Sequence, residues 1–206
     1  MWVYQKMLQY PAKAGYKDVR MARNILTQYG GPNGESSASM QYLNQRYSMP
    51  YDEGRAILTD VGTEEMAHME MVATLFNQLI CGATKDELIE NGFDAYYVEH
   101  GCNPFYVDTA SVPWDAKYVV ATGNPEVDLY QDMASEQRAK ATYENLVKMT
   151  DDPVLKETLR YLREREIVHF QRFGEVIRVI QERYGKRDKK GRIRYYELEE
   201  AADAAE

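Results

Sequence analysis

The chain has 206 residues, of which 44% are hydrophobic and 28% charged, as expected for one globular domain with a sizeable core. Its net charge of −8 argues against nucleic acid as a partner, because a phosphate-binding surface needs clustered Lys and Arg. No run of 18 apolar residues predicts a membrane span, and the N-terminus lacks the apolar core of a signal peptide, so we expect cytoplasmic synthesis. Cys81 and Cys102 have no CxxC spacing and are expected to be unpaired thiols.

Helical periodicity begins after the N-terminal segment. Residues 19–29 are predicted to form a helix that packs outside the main bundle. After the turn at residues 30–34, a short helix is expected to run to about Tyr47, where Pro50 prevents its continuation. A longer helix is predicted from about 52 to 81, ending at Gly82.

The second half of the chain begins with a long connection. Residues 83–125 hold many Gly, Pro and aromatic residues without a helical period, and predict a long crossover. A third bundle helix is expected from about 126 to 150, with Asn124 as N-cap, and a fourth from Pro153 to Tyr184. This predicts an all-α four-helix bundle over residues 1–185, followed by an exposed or disordered charged tail, 186–206.

The apolar stripes of the second and fourth bundle helices are each interrupted by a Glu and a His at i and i+3. The pairs are Glu65 with His68 and Glu166 with His169. Residues i and i+3 lie on one face of a helix, so each pair points into the core together. An ionised carboxylate buried without a partner costs several kcal/mol, so these positions require a compensating charge or metal.

The same arrangement occurs in both halves of the chain. The interval from Glu35 to Glu65 is identical to the interval from Glu136 to Glu166. One Glu from each of two helices and Glu-x-x-His from each of two others is the ligand inventory of di-metal carboxylate bundles. Carboxylate and imidazole ligands suit manganese and iron. The spacing therefore predicts a two-metal site in the bundle core.

Three further residues lie near the predicted ligands. Tyr42 and Tyr143 each follow the first Glu of their half at the same spacing, two helical turns along the same face. They either donate hydrogen bonds that orient metal-binding carboxylates or are amphipathic core tyrosines, and the pattern leaves both readings open. Glu64 lies one position off the apolar stripe and is expected to face solvent.

Four segments resemble the manganese catalase family: GGPNGE, VGTEEMAHMEM, VPWDAKYV and MTDDPVLKETLRYLREREIVHFQRF. The resemblance covers about residues 6–184 in the family's order. The compact length and short tail look most like the spore-coat, CotJC-type branch. The resemblance implies a ferritin-like bundle that converts hydrogen peroxide to water and dioxygen at two manganese ions.

The resemblance also assigns a role to each site residue. Five residues match the manganese ligands, with the second as the bridge: Glu35, Glu65, His68, Glu136 and His169. Glu166 matches a carboxylate held beside the metals for proton transfer, and Tyr42 matches a tyrosine that orients the site. In longer members of one branch an arginine precedes the third-helix ligand. Its replacement by Ser135 would open the channel or change the potential of the site.

Other functions remain open at this stage. The ligands alone do not distinguish manganese from iron, so a di-iron peroxidase or oxidase of rubrerythrin or ferritin type is an alternative. A structural spore-coat protein with little activity is another. The resemblance further implies a homo-oligomer, a hexamer in the family, and contacts with other spore-coat proteins.

Overall fold

The computed structural model describes residues 7–198, and helices dominate this range. The elements follow in chain order: α1 (Val19–Gly30), α2 (Glu35–Gln45), α3 (Asp52–Ile80), α4 (Lys85–Glu90), α5 (Asp94–His100), a 3₁₀ turn (Ala116–Tyr118), α6 (Pro125–Met149), α7 (Pro153–Tyr184), β1 (Gly185–Arg187) and β2 (Ile193–Leu198).

The four helices α2, α3, α6 and α7 form the predicted bundle. Helix α2 packs on α3 and α6 packs on α7, and the two pairs meet through α3–α7 and α2–α6 contacts. The observed ends lie close to the predicted ones, the largest difference being that α2 ends at Gln45 instead of Tyr47. The all-α bundle with a crossover between its second and third helices is therefore confirmed.

Polar caps set where the second pair of helices begins. The Asn124 side chain accepts hydrogen bonds from the first backbone N–H groups of α6, as the sequence predicts. Asp152 does the same for α7. Pro125 and Pro153 occupy the first helical positions, where a missing N–H leaves no hydrogen bond unmade.

Helix α1 is an integral part of the structure. Its inner face, including Met21, Ile25 and Leu26, is fully buried and lies in one core cluster with Leu75 and Phe76 of α3. Burial of side chains of this size contributes about 1.5–3 kcal/mol each. Helix α1 therefore lies beside the bundle, as predicted, and shares its larger core.

The crossover contains more structure than the sequence predicts. Two short helices, α4 and α5, lie within the predicted long crossover, although the sequence shows no persistent helical period there. Thr84 and Glu87 form a capping box that starts α4 locally, without needing a long apolar period. Farther along, the Trp114 indole donates to Ser37 Oγ at 2.9 Å and fastens the crossover to α2.

Glycine allows the crossover to approach the start of the bundle. A Cβ on Gly30 would lie 2.3 Å from the backbone nitrogen of Val107. Any larger residue at position 30 would push the crossover away from the turn that precedes α2.

The charged tail is partly ordered. Strands β1 and β2 pair in antiparallel register, with Gly185 opposite Leu198 and Arg187 opposite Ile193. Within the predicted exposed or disordered tail, most of residues 186–192 are exposed, and residues 193–198 form β2. Residues 199–206, the rest of that prediction, lie outside the described residues.

Along the bundle axis, the core has a polar layer between two apolar layers. On α3, Leu58 and Val61 lie before the Glu-x-x-His pair, and Met71 and Val72 follow it. Helix α7 repeats this order, with Leu162 before its pair and Phe173 after it. The polar layer therefore lies between two hydrophobic clusters that exclude water from both ends. Within residues 7–198, no helix has the length and apolarity to cross a bilayer.

Candidate metal centre

The six predicted site residues meet in the polar layer of the bundle. Helix α2 contributes Glu35, α3 contributes Glu65 and His68, α6 contributes Glu136, and α7 contributes Glu166 and His169. Every one of these side chains is at most 2% exposed. The helical spacing therefore predicted correctly that all six point inward.

Glu65 occupies the middle of the cluster. Its Oε2 lies 2.7 Å from His68 Nδ1, and its Oε1 lies 2.8 Å from His169 Nδ1. His169 Nδ1 is also 3.5 Å from Glu136 Oε2. One ligand atom each from Glu65, His68, Glu166 and His169 lie within 4.8 Å of one another. Glu65, with one oxygen toward each histidine, would hold metal together with both of them.

The two tyrosines connect the halves of the bundle crosswise. Tyr42 on α2 donates to Glu136 on α6, and Tyr143 on α6 donates to Glu35 on α2. All four side chains are buried. Each phenol therefore holds the single Glu of the opposite half, which is the contact expected of an orienting group.

Buried atoms without partners test whether the cluster fits metal ions. Among the described residues, Glu136 Oε2 and Glu166 Oε1 have no hydrogen-bond partner. The ring nitrogens of His169 also lack an aligned hydrogen bond, although Glu65 Oε1 lies close to one of them. Unsatisfied buried polar atoms are costly and need an explanation. Cations held between these donors would satisfy them, so the site fits the dinuclear metal centre.

The charge of the cluster supports the same conclusion. Burial, and then the charge of Glu65, raise the pKa of both Glu35 and Glu136. Burial, and then Glu35, raise the pKa of Glu166 well above its ordinary value. The protein alone therefore supplies too little positive charge for these carboxylates. Two divalent cations would provide it.

The pKa values of the two histidines are also raised, which for an imidazole favours the charged form. Burial alone would lower the pKa of His68, but the adjacent Glu65 and Glu64 raise it to about 9. The pKa of His169 is also raised, with burial opposed chiefly by Glu65. The surrounding carboxylates thus favour a positive charge at both imidazoles, where bound metal would place it.

Glu64 faces the site, so its prediction as a solvent-facing residue is wrong. Its side chain is 12% exposed, with Oε2 3.1 Å from His169 Nε2 and Oε1 3.6 Å from His68 Nε2. Arg165 donates to both of its oxygens, at 2.7 and 3.1 Å, and Gln9 donates to Oε1 at 2.7 Å. One carboxylate therefore lies behind both histidines, on the side away from Glu65.

The sequence contains a signal for Glu64 that the apolar stripe alone overlooks. Glu64 and His68 stand at i and i+4, and side chains at this spacing are neighbours on a helix. The contacts of Glu64 with His169 and Arg165 depend on how α7 packs against α3, which that spacing does not reveal.

A second buried polar group was also missed. Asp132, one turn before Glu136 on α6, accepts hydrogen bonds from Gln41 and Gln45 of α2, both at 2.8 Å. The same two amides bind the backbone of Val120 in the crossover. Burial raises the pKa of Asp132 well above its usual value. This network joins α2, α6 and the crossover beside the site.

A small cavity borders the site. Its volume is about 10 Å³, enough for a single water-sized molecule. Its lining residues include Glu136, Glu166, Asn33 and Ser135. Arg138, which is exposed, donates to Asn33 Oδ1 at 2.8 Å and to Ser135 Oγ at 3.0 Å. Arg138 therefore brings a guanidinium to Ser135, the residue immediately before Glu136.

The chain is similar to known proteins over most of its length. Residues 1–189 match the family model described as manganese containing catalase. Protein CotJC of Bacillus subtilis is 48% identical over 92% of this chain and 98% of its own length. Manganese catalase of Lactiplantibacillus plantarum is 31% identical over 90% of this chain and 74% of its own.

A solved structure shows the same fold. KatB, a manganese catalase from Anabaena, superposes with a TM-score of 0.81 at 29% identity, covering 87% of this chain and 80% of that protein. The polar layer, its unsatisfied ligand atoms and these similarities all indicate one family, whose cofactor is a pair of manganese ions. The chain belongs to the manganese-containing catalase family.

Proposed function

We propose that this chain disproportionates hydrogen peroxide at a dinuclear manganese centre held by Glu35, Glu65, His68, Glu136 and His169. The observation that carries the proposal is the buried Glu and His cluster with unsatisfied ligand atoms. When bound, the two manganese ions supply the two-electron oxidation and reduction of peroxide. The helices supply a fixed set of donors, and the tyrosines hold two of those donors in place.

Glu166 is the residue that handles protons in this proposal. It lines the cavity, is 2% exposed, and has an Oε1 without a hydrogen-bond partner in the described part of the chain. A carboxyl group in that position can give a proton to the oxygen that leaves during peroxide reduction. It can take a proton back during peroxide oxidation. The resemblance to the family assigns the same role.

The size of the cavity beside Glu166 favours a very small substrate. A cavity this small beside Glu166 favours hydrogen peroxide over bulky organic hydroperoxides. Arg138 donates hydrogen bonds to Asn33 and Ser135, two residues of the cavity lining. We expect the manganese-loaded protein to consume hydrogen peroxide and not cumene hydroperoxide, and Arg138→Ala to lessen this difference. Equal rates of loss of both peroxides with the unaltered protein would contradict size selection.

The activity itself is tested by dioxygen release. The manganese-loaded protein should release dioxygen from hydrogen peroxide, whereas a Glu65→Ala variant should release only the trace produced by free manganese. Glu90→Gln changes an exposed residue of α4 and is the control for protein preparation; it should release as much dioxygen as the wild type. If wild type and Glu65→Ala release the same trace amount, the catalase proposal fails and a structural role stands alone.

The separate role of Glu166 is tested by metal content. Glu166→Gln should retain two manganese ions per chain while losing most dioxygen release, because a proton carrier is removed and the ligands remain. Glu136→Gln should lose manganese. Loss of metal from Glu166→Gln equal to that from Glu136→Gln would make Glu166 a sixth ligand. Iron filling the site of protein from both manganese-replete and iron-replete cells would instead favour the di-iron alternative.

The cellular location and the oligomeric state of the chain are further proposals. The 48% identity to Protein CotJC and the resemblance to the spore-coat branch support location in a spore coat, with other coat proteins as partners. Antibody detection in fractionated spores should find the chain in the coat fraction. We propose a homo-oligomer with the family's hexamer as the expected form, and light scattering should give six chains. A monomeric mass would contradict it.

The proposed domain boundary also has a direct test. All candidate ligands lie before residue 185, and β1 begins there. A chain shortened to residues 1–185 should bind manganese as the full chain does. Loss of binding with retained helical content would place the tail within the functional unit.

A further inference from the structure

The two cysteines of this chain lie next to each other, although the segment that holds α4 and α5 separates them in sequence. Cys81 is the residue after α3, and Cys102 follows α5 in the crossover. The Asn77 side chain donates to Cys81 Sγ at 3.2 Å and to the Cys102 carbonyl oxygen at 3.1 Å. One amide therefore connects the end of α3 to the part of the crossover that carries the second thiol.

The two cysteines lie near each other. Asn77 contacts both of them, and the Cys81 thiol is close enough to act on the pKa of Cys102. Gly82 follows Cys81 and Gly101 precedes Cys102, and both glycines have positive φ. The tight turns at these glycines bring the two segments of the chain together. Both cysteines are free, as the sequence predicts, but their spacing gave no indication that they would meet.

The two thiols differ in accessibility. Cys81 is exposed, whereas Cys102 is half-buried and packs against the larger core cluster. Burial, and then the adjacent Cys81 thiol, raise the pKa of Cys102. An accessible thiol beside a shielded one is the arrangement in which the first reacts with an oxidant and the second resolves the product.

We propose that Cys81 and Cys102 form a peroxide-responsive pair that closes into a disulfide between the end of α3 and the crossover. The Cys81 thiolate attacks one peroxide oxygen, which breaks the O–O bond, gives a sulfenic acid and releases hydroxide that takes up the thiol proton as water. The Cys102 sulfur then attacks the Cys81 sulfur, the S–S bond forms, and a second water leaves. Two thiols lose two electrons in total, and one peroxide gains them.

Peroxide is the oxidant because it is the substrate of the family to which this chain belongs. The disulfide would close a loop containing α4 and α5. Closing a loop of that length restricts the unfolded chain, so the oxidised protein should resist heat and proteolysis of the crossover better than the reduced one. The reaction needs no metal ion, so it is independent of the catalytic role proposed above.

The test counts thiols in the intact, manganese-loaded protein. The reduced protein is supplied with hydrogen peroxide at a steady rate from a peroxide-generating oxidase, and free thiols are then alkylated. Mass spectrometry should show a loss of two hydrogens, about 2 Da, no alkylation, and a peptide that links Cys81 to Cys102. A thiol reductant should restore two alkylated thiols. The disulfide form should unfold at a temperature several degrees higher.

Matched serine variants separate the two roles. Cys102→Ser should leave a sulfenic acid on Cys81 that a dimedone probe traps, whereas Cys81→Ser should leave Cys102 unmodified. Both variants should retain wild-type dioxygen release. The proposal is overturned if both wild-type thiols stay alkylatable, if Cys81 is oxidised to sulfinic acid without a cross-link, or if only disulfides between chains form. A failure of dioxygen release alone would count against the catalytic role and not against this pair.

Discussion

Removal of Glu64 is the most informative single perturbation of the site, because this carboxylate lies behind both histidines. It is 3.1 Å from His169 Nε2 and 3.6 Å from His68 Nε2, and both imidazoles are fully buried. Glu64→Ala leaves both outer nitrogens without this carboxylate and leaves Arg165 without its ion pair. The rings would then lose the contact that turns Nδ1 toward Glu65.

The expected magnitude follows from these contacts. Loss of a group that orients a metal-bound histidine lowers metal affinity by about 10–100-fold, or about 1.4–2.7 kcal/mol. Two histidines share Glu64, so we expect the upper part of this range for Glu64→Ala. Glu64→Gln keeps one acceptor oxygen and should lose about tenfold.

Competition with a manganese chelator measures the affinity, and circular dichroism checks that each variant is folded. Glu90→Gln makes the same chemical change at an exposed position and should bind manganese like the wild type. Wild-type affinity in folded Glu64→Ala would refute the reasoning. So would equal losses in the Glu64→Gln and Glu90→Gln variants.

Three further predictions test other parts of the structure. Tyr143→Phe removes the phenol that donates to buried Glu35, a charged hydrogen bond of about 1.5–3 kcal/mol, and should weaken manganese binding about tenfold in the same titration; unchanged affinity would contradict this. Phe76→Ala leaves a cavity at a fully buried position and should lower the free energy of unfolding by about 3–5 kcal/mol. The Tm measured by calorimetry should fall by about 10 °C, and a fall of less than about 2 °C would contradict this prediction. The Lys17 ammonium lowers the pKa of Glu87 to about 2, so this ion pair stabilises the fold above the ordinary Glu pKa and loses that effect as pH falls toward about 2. Lys17→Met should therefore raise the titration midpoint of Glu87 measured by NMR. An unchanged midpoint would rule out the ion pair as the cause of the lowered pKa.

The ligand residues are predictable from the sequence because their positions follow local geometry. A helix brings residues at i and i+3 to one face, so Glu65 and His68 must share a direction once α3 forms. Apolar residues on the same stripe make that direction the core. The interval from Glu35 to Glu65 recurs between Glu136 and Glu166, which predicts that two helix pairs contribute in the same way.

The contacts between distant segments are not predictable in this way. Tyr42 and Tyr143 follow Glu35 and Glu136 at the same spacing, yet each tyrosine binds the carboxylate of the opposite half. The reason is that α2 and α6 face each other across the bundle, so a side chain two turns along one helix meets the other helix. The approach of Cys102 to Cys81 likewise depends on the turns of the crossover.

The sequence by itself therefore determined the four bundle helices, the buried Glu and His residues and their arrangement in two similar halves, because short-range periodicity controls all three. The tertiary structure decided which groups hold those ligands in place. Glu64 shows the difference: its spacing from His68 is local, but its contacts with His169 and Arg165 exist only because α3 and α7 pack together. Packing between helices that lie far apart in the chain cannot be read from the period of a single helix, because that period fixes only which side chains share a face.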